Sequence, residues 1–202
     1  MQVRFGTDGV RGVYGHHPCT SGVANRFGAA LVRFSLSMGD ELGRVVIGTD
    51  TRPSQQQLTQ ALMNGVTTAG GKALSLGVLP TAGVSVAIEQ GLAPVGVMIT
   101  ASHNPSQDNG FKVFGKGGRK LTNEENSQFE AWLNGASLNA SVVGQNEDVS
   151  EQALKAYFNA LDAALPRTPG ELRIGFDLAN GAATGSRSWI AERLGHNAFF
   201  HQ

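Results

Sequence analysis

Apolar residues follow two alternating rhythms along the first half of the chain. Val23, Phe27, Ala30, Leu31 and Phe34 fall three to four apart after Thr20, which predicts a helix with one buried face, bracketed at its exit by Gly39 and Gly43. Val45-Val46-Ile47 is a short unbroken apolar run and predicts a buried strand. Ser54 then stands where an N-cap belongs, ahead of a second amphipathic helix through Leu58, Leu62, Val66 and Ala69 that Gly70-Gly71 stops. Residues 73–76 predict the next strand. Pro80-Thr81 opens a shorter helix through Val84, Ala87 and Ile88, closed at Gly91, and Val95–Ile99 predicts a further strand.

Strands and helices alternating at these intervals predict a three-layer α/β/α domain with a mixed, mainly parallel sheet. The loops that follow its strands, residues 49–52, 79–81 and 100–105, are expected at one sheet edge, which is where such sheets bind ligands. Farther on, residues 113–114 continue a strand. Gly115-Lys116-Gly117-Gly118-Arg119 predicts a hairpin turn, since it lacks the full spacing of a phosphate-binding Gly-x-x-x-x-Gly-Lys-Ser/Thr loop. Thr122 and Glu125 form a capping box for a helix that runs toward Trp132. Residues 135–149 are polar and aperiodic and are expected to be a boundary loop.

A second segment starts near Ser150. Leu154, Tyr157, Phe158, Leu161 and Leu165 share one helical face, and residues 166–170 break the pattern. A strand over residues 172–178 leads into the tight turn Ala179-Asn180-Gly181-Ala182-Ala183, then a helix over residues 184–194 and a strand from Ala198. The expected division is therefore residues 1–149 and 150–202. One strand-helix-strand crossover cannot bury a two-faced parallel sheet, so the second segment is expected to be an incomplete α/β domain.

Composition narrows the classes of function. With 41% hydrophobic and 16% charged residues the chain is ordinary for a soluble domain. Sixteen basic residues balance sixteen acidic ones, so charge gives no case for nucleic acid or a membrane surface as partner. No apolar run approaches membrane-spanning length, and the N-terminus has no apolar signal core; a cytoplasmic location is expected. Cys19, the single cysteine, cannot form an internal disulfide and is expected to be a small turn or core residue. His16 and His17 lack partners at metal-ligand spacing and are expected to be solvated loop residues.

Two stretches carry candidate chemistry. Residues 5–12, Phe-Gly-Thr-Asp-Gly-Val-Arg-Gly, set three glycines around Thr7, Asp8 and Arg11. Glycines let backbone amides approach a ligand, and Arg11 offers a planar fork for a carboxylate or phosphate; a glycine-rich turn with a solvated arginine is the alternative. At Ile99-Thr100-Ala101-Ser102-His103-Asn104-Pro105 a buried strand ends by delivering one hydroxyl to a polar turn. These residue types also dominate ordinary turns, but the convergence of three loops on the same edge favours a site.

Four motifs together resemble the α-D-phosphohexomutase superfamily: Phe-Gly-Thr-Asp-Gly-Val-Arg-Gly, Thr-Ala-Ser-His-Asn-Pro, Asp-Asn-Gly-Phe-Lys at residues 108–112 and Asp-Leu-Ala-Asn-Gly-Ala at residues 177–182. The opening motif and the Asp-Asn-Gly ahead of Lys112 are most similar to its phosphoglucosamine mutase branch. The resemblance implies the first domain and the opening of the second domain of a four-domain enzyme. That enzyme interconverts glucosamine 6-phosphate and glucosamine 1-phosphate, toward UDP-N-acetylglucosamine for cell walls. The resemblance further implies that Ser102 carries a phosphoryl group, that glucosamine 1,6-bisphosphate is intermediate and activator, and that Mg²⁺ binds through the phosphoserine. His103 and Asn104 are implied at the phosphoryl group and Lys112 as proton shuttle. Arg11 is implied to support either, with Thr7 and Asp8 in the same wall, binding substrate or phosphate. The Asp-Gly-Asp-Gly-Asp-Arg metal loop and the later sugar- and phosphate-binding loops of the family do not occur in these 202 residues. The chain alone is accordingly expected to be inactive, and a missing C-terminal part or another chain is the expected partner beside the phosphosugar. A phosphomannomutase or phosphoglucomutase, and a non-catalytic phosphosugar-binding or interaction remnant, are the alternatives.

Overall fold

The computed structural model describes residues 1–6, 9–135, 143–165 and 172–201. In the first part of the chain the elements are β1 (Val10–Val13), α1 (Ser21–Ser37), β2 (Arg44–Thr49), α2 (Gln55–Thr68), β3 (Lys72–Val78), α3 (Thr81–Glu89), β4 (Val95–Ile99), β5 (Asp108–Phe114), α4 (Asn123–Asn134) and β6 (Gln145–Asp148). After them come α5 (Ser150–Ala164), β7 (Ile174–Asp177), α6 (Arg187–Leu194) and β8 (Ala198–His201). Six strands make one sheet in the order β1-β5-β4-β2-β3-β6, and β7 and β8 form a separate parallel pair. In the large sheet β2 is parallel to both β3 and β4, β6 is parallel to β3, and β5 runs antiparallel to its neighbours β4 and β1. The fold is thus the expected mixed, mainly parallel α/β arrangement.

Alternation along the central strands explains the three layers. On one face Val45 and Ile47 of β2 and Val97 and Ile99 of β4 join Phe27, Leu31, Leu58, Leu62, Phe129 and Leu133 from α1, α2 and α4. On the other, Val46 and Met98 join Val84 and Ile88 of α3 and Ala153 of α5. All five residues of β4 are buried because both its faces are covered, which is why it reads as a continuous apolar run. Phe27 stacks on Phe111 with ring centroids 4.5 Å apart, tying α1 to β5. Helices α1 and α2 touch backbone to backbone: a Cβ at Gly28 would lie 2.2 Å from the Leu62 carbonyl oxygen, and one at Gly65 would lie 1.9 Å from that of Asn25.

Several local expectations hold. Thr20 caps α1, accepting from the Val23 N–H at 3.2 Å. The capping box of α4 is formed in both directions, by Glu125 N–H to Thr122 Oγ1 at 3.2 Å and Thr122 N–H to Glu125 Oε2 at 2.8 Å. Residues 115–119 turn tightly, closed by Gly115 N–H donating to the Arg119 carbonyl at 2.9 Å and by the antiparallel bridge Phe114–Lys120.

Two expectations need correction. Ser54 occupies the N-cap position of α2, but its hydroxyl makes no cap bond and instead accepts from Asn109 Nδ2 at 2.9 Å. The segment read as a loop up to residue 149 contains β6, whose four residues are all exposed. Backbone pairing with β3 and the Lys72–Glu147 ion pair at 2.6 Å hold it, and an edge strand with no apolar side chain leaves no periodic trace. Within that segment residues 136–142 lie outside the described ones, as do the helix-breaking residues 166–170. Helix α5 packs against α3, and Val149 and Ala153 complete the second core face. Among the described residues no helix is long and apolar enough to cross a membrane.

Candidate functional site

The site is built at the carboxyl ends of β2 and β4, which lie side by side and parallel. Thr100 N–H donates to the Gly110 carbonyl at 3.0 Å, the last pairing of β4 with β5, and the chain then leaves the sheet. Ser102 follows with φ of 60°, the left-handed region that a serine seldom occupies. It is exposed, and among the described residues its hydroxyl meets only His103 Nδ1, at 3.5 Å, too long for a strong hydrogen bond. Asn104 Nδ2 donates to Asp108 Oδ2 at 2.9 Å, and the Asp108 N–H donates to the Pro105 carbonyl at 3.0 Å, so the turn closes on itself.

The loop after β2 supplies the rest of the frame. Asp50 is buried and Arg52 lies along the turn with its side chain only 9% exposed. Arg52 Nε donates to Asp50 Oδ2 at 3.0 Å. Arg52 Nη2 donates to the carbonyls of Ser102 at 2.8 Å and Asn104 at 2.9 Å, and Nη1 to those of Pro105 at 2.5 Å and Asp108 at 3.1 Å. Thr100 Oγ1 donates to Asp50 Oδ2 at 2.6 Å and accepts from the Ser102 N–H at 2.9 Å. The third loop joins through the Leu79 N–H, which donates to the Thr49 carbonyl at 3.2 Å. The three loops do converge.

Behind the turn Asn109 is fully buried, with Nδ2 on Ser54 Oγ, Oδ1 on the Gly110 N–H at 2.8 Å and its carbonyl accepting from Cys19 Sγ at 3.0 Å. Burial, and after it the Asp108 carboxylate, push the Cys19 thiol up to about 11, so Cys19 is a protonated core residue, as expected. His17 Nε2 lies 3.1 Å from the Gln2 carbonyl.

Arg11 and Lys112 come together differently. Arg11 pairs with Gly110, and Lys112 lies two residues along β5 on the same face, opposite Met98. A Cβ at Gly110 would lie 3.0 Å from Arg11 Cγ and 2.3 Å from the Val10 carbonyl oxygen, so a glycine is required for the Arg11 stem to cross β5. Lys112 also lines a cavity of about 340 Å³ with Phe5, Gly6, Gly9 and Lys120. Thr7 and Asp8 lie outside the described residues.

Sequence reasoning named Ser102, His103 and Asn104, which stand in one turn, and Arg11 and Lys112, which the structure sets on one sheet face. It placed the loops of Asp50, Arg52 and Thr100 at this edge but assigned those three side chains no role. The signal available was a polar Asp-Thr-Arg directly after a buried strand. Its partners, about fifty positions away, have no local pattern. Among the described residues no group of three or more His, Cys, Asp and Glu side chains is placed to hold a metal ion. The two carboxylates of this edge are engaged, Asp50 by Arg52 and Thr100 and Asp108 by Asn104. These residues do not make a magnesium cage by themselves.

Comparison with known proteins places the fold. Residues 2–140 match the model of the phosphoglucomutase/phosphomannomutase α/β/α domain I. A phosphoglucosamine mutase of Ruegeria sp. (strain TM1040) is 39% identical over 199 residues, covering 96% of this chain and 44% of that protein. One from Paracoccus denitrificans (strain Pd 1222) is 41% identical over 184 residues, covering 89% of this chain and 41% of its own length. A solved structure assigned as a phosphomannomutase from Thermus thermophilus superposes with a TM-score of 0.80 at 30% identity, covering all of this chain and 45% of its own. The chain spans less than half the length of the curated relatives it matches. By its match to domain I over residues 2–140, the chain belongs to the phosphoglucomutase/phosphomannomutase family.

Proposed function

We propose that this chain is the phosphoserine-bearing part of a phosphoglucosamine mutase, with residues 1–149 as its first domain and residues 150–202 as the opening of its second. One observation carries the reading: an exposed hydroxyl, Ser102, held on a left-handed turn at the carboxyl end of a fully buried strand. Identities of 39–41% with phosphoglucosamine mutases support the choice of sugar. The full cycle is proposed for these residues together with the remaining length that those relatives have, whether in one polypeptide or in two. A cytoplasmic location goes with the reading.

In the forward step a hydroxyl of the sugar phosphate attacks the phosphorus on Ser102. The Oγ–P bond breaks as the new O–P bond forms, giving glucosamine 1,6-bisphosphate. In the return step Ser102 Oγ takes the phosphoryl group from the other end of that intermediate. Lys112 accepts the attacking hydroxyl's proton and returns it. His103 and Asn104 donate hydrogen bonds to the phosphoryl oxygens, and Arg11 balances their charge. Thr7 and Asp8 are proposed, from the motif alone, to bind substrate or phosphate. Positioning and charge stabilisation account for most catalysis of phosphoryl transfer, so a rigid carrier suits the task. Mg²⁺ is proposed to bind a phosphoserine oxygen and to neutralise phosphoryl charge. The described residues do not complete its coordination, and its other ligands must come from outside them.

Incubation with glucosamine 1,6-bisphosphate and Mg²⁺, followed by intact-mass measurement and peptide mapping, tests the reading. One phosphoryl group on Ser102 is the expected result. No gain even with the C-terminal part of a relative added, or a gain elsewhere, overturns it. Faster uptake from glucose or mannose 1,6-bisphosphate would transfer the reading to a phosphoglucomutase or phosphomannomutase, the latter being the assignment of the Thermus neighbour. Retention of the phosphosugar with no transfer would mark a binding remnant.

A further inference from the structure

Both peptide groups that flank Ser102 are held from outside the turn. The N–H on one side donates to Thr100 Oγ1 at 2.9 Å, and the carbonyl on the other accepts from Arg52 Nη2 at 2.8 Å. The two restraints meet on a single carboxylate oxygen, Asp50 Oδ2, which accepts from Thr100 Oγ1 at 2.6 Å and from Arg52 Nε at 3.0 Å. The hydrogen bonds therefore close a ring from the amide of Ser102 to its own carbonyl. Because each peptide is planar, orienting both of them sets φ and ψ of the residue between. A left-handed serine is disfavoured by about 1–2 kcal/mol and persists only where its surroundings over-determine it. The ring supplies that over-determination without using Ser102 Oγ.

We infer that Arg52 is a positioning residue for Ser102: with Asp50 and Thr100 it locks the left-handed turn and so fixes the direction in which the hydroxyl leaves the sheet edge. The catalytic consequence rests on the phosphocarrier reading above; the conformational one does not. The chemistry requires an arginine. A planar fork with five donors spans four carbonyls and a carboxylate at once, whereas a lysine ammonium is a point with three donors. Paired with Asp50, Arg52 holds the backbone, and the role of charge partner for a phosphoryl group is left to Arg11.

The test compares the unsubstituted chain with Arg52→Lys and with Thr100→Val, which keeps the side-chain shape and deletes one link of the ring. Two quantities are read: amide hydrogen exchange in residues 101–108, and the rate of phosphoryl uptake on Ser102 against the concentration of glucosamine 1,6-bisphosphate. Arg52→Lys is expected to raise exchange in residues 101–108 by about tenfold or more while α1 and β2 keep their protection. The saturating uptake rate is expected to fall by about 10- to 100-fold, with the half-saturating concentration within about threefold. Thr100→Val acts in the same direction and less strongly. Lysine restoring unsubstituted behaviour would show that charge alone is needed and would overturn the inference. If Arg52→Lys loses protection throughout the chain, Thr100→Val decides: unchanged exchange at residues 101–108 overturns the inference, and a rise confined to them supports it. If the unsubstituted chain takes up no phosphoryl group even with the C-terminal part of a relative added, the mutase reading fails, and the exchange comparison still decides whether Arg52 holds the turn.

Discussion

Among the described residues two strand-end turns carry left-handed residues that are not glycine, and they are held differently. After β4, Ser102 sits at φ of 60° with restraints from Asp50, Arg52 and Thr100, two of them some fifty positions distant. After β7, Ala179 and Asn180 sit at 47° and 53° with restraints from their own neighbours. Asp177 Oδ1 accepts from the Ala179 N–H at 2.8 Å, and the Leu178 carbonyl accepts from the Gly181 N–H at 2.8 Å. The strands differ likewise: β4 is buried throughout, whereas β7 alternates half-buried and exposed residues. Both turns start from a side-chain oxygen that accepts from the N–H two residues on, Thr100 to Ser102 and Asp177 to Ala179. The Ser102 turn adds Asp50 and four carbonyl contacts from Arg52 on the neighbouring strand's loop. The β2–α2 loop also reaches the second turn, since Thr51 Oγ1 donates to the Asn180 carbonyl at 2.5 Å, one residue before Arg52 reaches the first.

The contrast is broken most severely at glycines. A Cβ at Gly110 would lie 2.3 Å from the Val10 carbonyl oxygen and 3.0 Å from that of Thr100, so Gly110→Ala forces β1 and the base of the Ser102 turn off β5. A loss of about 3 kcal/mol is expected in urea unfolding. Gly181→Ala, whose Cβ meets nothing nearer than 3.4 Å, is expected to cost less than about 1 kcal/mol. Equal losses would remove the distinction between the two turns.

Cys19 reports on the first turn without any added label. With its thiol at about 11, roughly a thousandth is thiolate at pH 8, and the group is fully buried. Alkylation by iodoacetamide at pH 8 is expected to be slow in the unsubstituted chain and to rise about tenfold or more in Gly110→Ala. It should rise also with pH, through the thiol's raised value. Fast alkylation of the unsubstituted chain at pH 8 would show that the turn's underside opens readily.

Smaller effects belong to the second turn. Asp177→Ala removes one local hydrogen bond and is expected to cost about 1 kcal/mol, raising exchange around residues 179–181 while leaving residues 101–108 unchanged. A change at residues 101–108 would mean that the Thr51 contact couples the turns. Ala179→Gly relieves a left-handed alanine and is expected to gain roughly 0.5 kcal/mol, the strain relieved being partly offset by a freer unfolded chain.

The same contrast explains what could be read in the sequence. The helical face of Val23, Phe27, Ala30, Leu31 and Phe34 was legible because a helix buries every third or fourth residue, and Thr122 with Glu125 because a capping box lies within one turn. The six-strand order was legible only as a class, since register and the antiparallel return of β5 depend on contacts between distant segments. In the site, Ser102, His103 and Asn104 are contiguous and showed themselves as a polar turn closing an apolar strand. Arg52 did not, because a guanidinium that binds four carbonyls leaves no mark on the residues whose side chains it ignores. Ser54 misled for the complementary reason: it has the right type and place for a cap, and Asn109, fifty-five positions on, takes its hydroxyl.

Strand β6 has a consequence for the chain's behaviour in a crowded solution. Among the described residues no strand pairs with the outer side of β6, and such an edge is the kind along which β-proteins add a foreign strand. Gln145, Asn146, Glu147 and Asp148 line it with exposed polar side chains, two of them anionic. An incoming strand must set its own side chains against two carboxylates and gains no apolar surface in return. The feature that made β6 invisible as a strand is therefore also one that disfavours strand addition at this edge.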